Sequence, residues 1–466
     1  MSATTATQPQ AVRILARLDR LPATRHIWQM VAVLSLGGMF EFYDLFQMGY
    51  VIPGLVKAGL LTGVGVGIWS GPALFVASTF AGLFIGTFAF GAAADKYGRR
   101  TIFTYSMLWY SVMTLVMAFM TTGWTVCLMR LIASIGIGVE LVTIDTFVAE
   151  LIPKHLRGRA FAVNQMVQFA VVPVVALLAY ILVPIAPLGL DGWRWVAIIG
   201  AAGAVAVWFL RRSLPESPRW LLNQGRTAEA EAITANIETR VSADLGGARL
   251  PAPATHSEER LGAQGRFSEI WQAPYGKRTI MLMVFQFFQT FGFYGFAAWV
   301  PTLIAHQTGI NLRESLLYSF IIAIANPFGP MLAILFADKC ERKWQLVGSA
   351  IGIGVFGLIF SMQTAMGPLI ILGVLITLSN NILSYSFHGY QTELFPTRIR
   401  ARAVGFTYSF SRISTVFAAF IIGWFLNQAG SQGVFGLIAF AMLVVVISIG
   451  VFGPRTSNLE LEEISH

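Results

Sequence analysis

Six ionisable side chains interrupt the long apolar runs of this chain: Glu41 and Asp44 in the run 28–51, Arg130, Glu140 and Asp145 in 124–149, and Arg412 in 403–427. An ionisable group in hydrocarbon costs several kcal/mol and persists for function or for pairing. If the first two runs cross a bilayer in opposite directions, Asp44 lies roughly 10 Å and Arg130 roughly 9 Å below the same surface, at about 1.5 Å per residue. A carboxylate and a guanidinium at matching depth can pair, and if they part in a dry core the acid takes up a proton. Asp44 and Arg130 are therefore candidates for proton coupling, with Glu41 one turn away on the same helix. Glu140 and Asp145 point about 140° apart and cannot line one helix face.

Helices long enough to cross a bilayer must position these groups, and the composition supplies them. The chain has 466 residues, 56% hydrophobic and 12% charged, about half the charge of a soluble protein. Stretches of roughly 20 apolar residues, the length that crosses the hydrocarbon, fall near 28–51, 70–93, 101–121, 124–149, 160–183, 193–211, 279–303, 316–337, 344–362, 367–389, 403–427 and 432–453. The fold class expected is an all-α membrane protein of twelve transmembrane helices in two pseudo-symmetric six-helix bundles. The expected division is an N-terminal tail 1–27, a bundle 28–211, a central loop 212–278, a second bundle 279–453 and a tail 454–466.

Charge placement sets the orientation. Of 32 Lys and Arg, only Lys57, Arg194 and Arg313 fall on one side of this map, and Arg130 and Arg412 lie within spans. The rest sit in the tail, the even-numbered turns and the central loop, which puts both termini in the cytoplasm of a multi-pass protein of the cell (inner) membrane. The net charge of +9 thus reports topology, with no nucleic-acid partner implied. The first span is too long for a cleavable signal and is expected to stay. Cys127 in a span and Cys340 in an inner turn give no disulfide. In the loop, Thr227–Thr239 reads as amphipathic surface helix and Leu245–Gly265 as linker.

The chain also repeats itself. GAAADKYGRR at 91–100 is echoed by AILFADKCERK at 333–343, and AELIPKHLRGR at 149–159 by TELFPTRIRAR at 392–402. One offset matches Asp95, Arg99, Glu150 and Arg157 with Asp338, Arg342, Glu393 and Arg400. Repeated signatures between apolar spans mark a two-half membrane carrier with its site where the halves meet. An acid at a helix end facing an arginine-bearing turn forms a charge-assisted hydrogen bond, so these eight residues are expected to latch the inner side when the carrier faces out. Glu341 replaces Gly98 in the second copy, so the second turn is expected to differ in shape.

On these signatures, with RLIASIGIGVE at 130–140 and PESPRWL at 215–221, the chain resembles the major facilitator superfamily over nearly its whole length, and within it the sugar-porter-like group that includes organic-ion carriers and metabolite:proton symporters. The resemblance implies alternating access. It also implies that an aspartate of helix 1 and an arginine of helix 4 form the coupling pair, and GGMFEFYD matches the helix 1 pattern up to Asp44.

Depth counting adds a polar layer at mid-membrane: Gln289 and Arg412 roughly 14–15 Å deep, with Asn381, Gln168 and Glu41 nearby, and Phe288, Phe291, Tyr294 and Trp299 as aromatic walls. By resemblance, sugar porters carry a glutamine in helix 5 and two glutamines and an asparagine in helix 7. Gln165 and Gln289 match, whereas Phe288 and Tyr294 replace the others. Arg412 aligns with a position that is arginine in organic-anion carriers and aspartate in several organic-cation carriers. A guanidinium offers two prongs to a carboxylate, which favours import of a small aromatic or heteroaromatic monocarboxylate such as nicotinate or a benzoate. The other reading of Arg412 is neutralisation of Glu41 or another buried acid, and Glu140 and Asp145 would suit a cation. A sugar or polyol symporter and an organic-cation or drug exporter are the alternatives. Tyr385 and His388 lie toward the inner end of helix 10, suited to an exit path. There is no nucleophile–base constellation, metal-ligand spacing or phosphate-cradling loop, so neither enzyme nor cofactor is expected, protons being the coupling ion; the carrier is expected to work as a monomer in the lipid bilayer.

Overall fold

The computed structural model describes residues 8–65, 69–90, 93–211, 214–253, 266–337, 340–395 and 397–455. The first half comprises α1 (Gln8–Asp19), α2 (Arg25–Lys57), α3 (Gly71–Phe90), the short α4 (Ala93–Tyr97), α5 (Arg99–Ala118), α6 (Gly123–Leu151), α7 (Arg157–Leu182) and α8 (Gly192–Arg211). The connecting segment carries α9 (Pro218–Asn223) and α10 (Thr227–Asp244). The second half comprises α11 (Tyr275–Ala297), α12 (Val300–Thr308), α13 (Leu312–Ala323), α14 (Phe328–Ala337), α15 (Arg342–Ser361), α16 (Met366–Glu393) and α17 (Thr397–Phe452).

Among the described residues, ten segments are long and apolar enough to cross a membrane. One of them, Arg402–Phe452, turns at Gly430, whose φ of 62° lies in the left-handed region, and so makes two passes. With α2, whose acids are buried inside the bundle, that makes twelve. The protein is an all-α, multi-pass membrane protein of the twelve-helix, two-bundle kind. Two spans are broken: the seventh into α11 and α12 at Ala298–Trp299, and the eighth into α13 and α14 at residues 324–327, where Asn326 precedes Pro327. Interrupted helices expose backbone groups where a cavity can use them.

Close backbone approach sets the first bundle. Gly86 of α3 lies against the carbonyl of Ile135, and Gly138 of α6 against that of Leu83, so that any side chain at either position would collide. This is the packing role of the small residues in 130–140, and it swings Arg130 toward α2.

The halves touch on the outer side. Gly49 abuts Ala298, Gly423 abuts Ala73, and Trp69 packs on Phe420 at 4.9 Å between ring centroids. Phe46 and Phe169 both meet Phe293, at 6.5 and 6.4 Å. Toward the inner side, Asp145 of α6 is exposed.

At the inner face the segment expected only as an N-terminal tail folds into α1 and clasps the connecting segment. Arg17 pairs with Glu231 and Glu238, Arg20 reaches Glu238 at 2.6 Å, and Arg219 reaches Asp19 at 2.9 Å. The amphipathic stretch expected over Thr227–Thr239 is one helix that continues to Asp244.

Candidate functional site

Asp44 and Arg130 meet. The Arg130 Nη1 donates to Asp44 Oδ2 at 3.0 Å, its Nη2 to the Asp44 backbone carbonyl at 2.6 Å, and its Nε to Thr79 Oγ1 at 2.9 Å. Thr114 donates to Asp44 Oδ1 at 2.9 Å, and the Gln47 amide donates to the same oxygen. Four helices, α2, α3, α5 and α6, thus converge on one ion pair that is 4% and 0% exposed. A buried pair at this cost is held together by its extra hydrogen bonds, and parting the helices removes several of them at once.

Nearly three turns further inward along α6, at about 3.6 residues per turn, lies a second charged cluster that sequence reasoning read only in part. Glu140 is paired with Arg211, both wholly buried. Arg211, taken from sequence as one of the inner topological charges, instead turns back into the bundle. Its Nη1 donates to the Phe103 carbonyl at 2.8 Å and its guanidinium lies 3.4 Å from the Phe103 ring centroid. The glycines of GGMFEFYD make this possible: a side chain at Gly37 would occupy the guanidinium's place, and one at Gly38 that of the Gln168 amide. Glu140, an acid in a span with no expected cation, was the available signal for a missing partner. Glu41 sits beside this pair, fully buried, with neither carboxylate oxygen bonded to protein. Glu140 and Asp145 repel its charge and Arg211 and Arg412 attract it.

In the second half, Arg412 is 3% exposed. Its Nη2 donates to the Tyr408 hydroxyl at 2.9 Å, its guanidinium lies 4.9 Å from that ring centroid, and Tyr294 is within hydrogen-bonding reach. Among the described residues no acid stands within ion-pair distance of Arg412. Tyr294 packs on Phe80 of the opposite half at 4.6 Å and on Phe293 at 4.9 Å. Gln289 donates to Gln286 at 3.4 Å, and Gln286 to Gln391 at 3.0 Å. Gln165 and Gln168 lie on α7, the former with a buried oxygen that has no protein partner. Asn381 donates to the carbonyl of Asn326 at 3.0 Å, tying α16 to the break in the eighth span. Asn326, Asn380 and Asn381 line a cavity of about 20 Å³ with Phe46, Tyr50 and Phe293. Tyr385 is half-buried one turn inward on α16, and His388 bonds the Ser384 carbonyl of its own helix at 2.7 Å, a structural tie.

Two expected contacts are displaced. Phe288 shares a face of α11 with Gly292 and Gly295, which abut Met442, Ile422 and Ile438, and it packs on Phe440, itself 58% exposed. It therefore points to the flank of the second bundle rather than the interior. Trp299 is 1% exposed and lies against Gly423 in the outer closure, beyond the central layer.

The rim signatures carry two ion pairs among the described residues. Arg99 Nη2 meets Glu150 at 3.0 Å, and Arg342 pairs with Glu393. Each pair lies within one half. Arg157 donates to the Ile152 carbonyl at 3.3 Å, bracing the same corner. Gly98, at φ 101°, lies against the Glu216 carboxylate, whereas Glu341 has φ −58° and starts α15, so the two turns do differ in shape. Asp338 and the side chains of Asp95 and Arg400 lie outside the described residues.

The comparisons with known proteins agree with this architecture. The chain is 30% identical over 457 residues to the putative metabolite transport protein YdjK of Escherichia coli strain K12, covering 97% of this chain and 96% of that one. It is 26% identical over 452 residues to the niacin transporter NiaP of Acinetobacter baylyi, covering 97% and 99%. Among solved structures, the partially occluded inward-open form of the Escherichia coli xylose transporter XylE superposes with a TM-score of 0.74 at 20% identity, over 93% of this chain and 99% of that one. These relatives are transporters rather than enzymes. A family model described as sugar (and other) transporter matches residues 30–466, and the chain belongs to that family of the major facilitator superfamily, as a membrane transporter of small molecules.

Proposed function

We propose that the protein is a proton-coupled symporter that imports a small aromatic or heteroaromatic monocarboxylate across the inner membrane by alternating access, with nicotinate or a benzoate as the type of cargo. The observation that carries the reading is Arg412: a buried guanidinium with no acid in ion-pair distance among the described residues, walled by Tyr294 and Tyr408. Such a group suits a carboxylate, and the rings suit a flat apolar body. A relative whose name records niacin transport supports it. In this reading Asp44 exchanges Arg130 for a proton as the bundles tilt. Glu41, free of protein hydrogen bonds, is a second place for a proton. Gln165, Gln168, Gln289, Asn381 and Tyr385 orient the cargo. The rim residues Asp95, Arg99, Glu150, Arg157, Asp338, Arg342, Glu393 and Arg400 gate the inner side, holding it shut when the carrier faces out, and one copy of the chain suffices.

A sugar or polyol symporter is the second reading, favoured by the amides of Gln165, Gln168, Gln286 and Gln289. Uptake into proteoliposomes under an imposed inward pH gradient separates the two. Accumulation of nicotinate or benzoate, lost in Arg412→Ala, is the expected result. Accumulation of a hexose or pentose that survives Arg412→Ala would overturn the carboxylate reading.

A further inference from the structure

The outer side of the molecule carries three Lys or Arg residues by the topology above, Lys57, Arg194 and Arg313, and two of them meet at one cavity. Arg194 is consumed locally, donating to the carbonyls of Ala118 and Met120 and to Asp191. Lys57 ends α2 in the first half, and Arg313 begins α13 in the second. Both line a cavity of about 820 Å³ on the outer seam, together with His306, a volume within the range of small-ligand sites.

Its other walls are mostly apolar, with Ile52, Pro53 and Val56 from α2, Pro72 and Pro184 from the first half, and Leu312 and Ala305 from the second, and they include the neutral polar side chains of Asn311 and Ser315. No acidic side chain is among its lining residues. The Lys57 ammonium donates one proton to the Pro184 carbonyl at 2.8 Å, leaving two N–H groups. Arg313 lies 5.7 Å from the Tyr180 ring of the opposite half. The hydroxyl of Thr302, also in the lining, is buried with no protein partner. Like charges brought together between low-dielectric walls focus a positive potential and raise the local concentration of anions.

We propose that this cavity is a carboxylate-collecting vestibule, where an external organic anion bridges Lys57 and Arg313 before the outer seam opens toward Arg412. Its role in uptake rests on the anion reading above; its charge selectivity does not. Closing the seam draws two cations from opposite halves to one space, and a bound carboxylate relieves their repulsion. The site takes a monocarboxylate with a flat or apolar body, and holds it weakly enough to release it inward.

The direct test places a cysteine in the wall by Val56→Cys, a lining position 38% exposed, and measures its modification from outside in right-side-out vesicles. Native Cys127 is buried and Cys340 lies at the inner rim. The probes are an ethylsulfonate and an ethyltrimethylammonium methanethiosulfonate, each normalised to its rate with free cysteine. We expect the anionic reagent to be favoured by about tenfold at low salt, and the preference to vanish when Lys57→Gln and Arg313→Gln are added. Equal normalised rates would overturn the proposal. In proteoliposomes, the same two substitutions without the cysteine should raise KM for external nicotinate by at least about threefold with kcat unchanged, and flatten its salt dependence. An unchanged KM would overturn the uptake role even if the reagent preference stood. A wild type that moves no nicotinate sinks the cargo reading above, while the reagent preference still decides whether the vestibule collects anions.

Discussion

Arg412 and the Glu140–Arg211 pair show how a single side chain commits a membrane bundle to its chemistry. A guanidinium bound to carboxylate by two parallel hydrogen bonds loses that geometry when replaced by an ammonium. Arg412→Lys is therefore expected to raise KM for the anion by about tenfold to a hundredfold, from the loss of a charge-assisted hydrogen bond. Counterflow exchange at equal pH measures this without coupling. Removing one partner of the wholly buried Glu140–Arg211 pair strands the other. Arg211→Met should cost about 3–5 kcal/mol of stability, seen as a lowered Tm in detergent. Adding Glu140→Leu should recover most of it, because no orphaned charge remains. A double variant as unstable as Arg211→Met would show that the pair does not act as a unit. The sequence made Asp44 and Arg130 legible, since two charges at equal depth in adjacent spans have few other places to go. It did not make Arg211 legible, because an arginine at a helix end looks the same whether it snorkels outward or folds back. The pairing with Glu140 and the approach at Gly37 reveal which.

Elements were read better than their faces. The spans followed from apolar length, whereas the breaks in the seventh and eighth and the aim of Phe288 depended on register against α17, which periodicity in an apolar helix leaves open. The rim signatures were found by their repetition, yet repetition names no partner: Arg99–Glu150 and Arg342–Glu393 close within each bundle. The tail's helix α1 was missed because its anchor, Glu238, lies far away on α10. That anchor carries a pH dependence. Burial alone would raise the Glu238 carboxyl, but hydrogen bonds from Arg17 and Arg20 outweigh it and hold the group below its ordinary 4.5. A depressed acid contributes its full stabilisation above the unfolded value and loses it as pH falls through the folded one. Hydrogen exchange of α1 amides should thus be slow and flat above about pH 5 and open as the medium is acidified below about 4. Protection that persists in Glu238→Gln would show that the clasp does not depend on this charge.

At the scale of the molecule, the outer contacts and the exposed Asp145 describe one station of a rocking cycle. Gly423 and Ala73 abut across the closed seam, so cysteines placed at both are expected to cross-link under mild oxidation and stop uptake. External cargo at acid pH should slow that cross-linking as the population moves toward the outward form. A cross-linked protein that still transports would mean the seam does not open.

The account rests on Asp44 trading Arg130 for a proton as the bundles tilt. Asp44→Asn keeps the shape of the side chain and removes its titration. In proteoliposomes with an inward pH gradient, the variant should fail to concentrate nicotinate above its external level while retaining nicotinate counterflow. Gradient-driven accumulation by Asp44→Asn at the wild-type level would contradict the account.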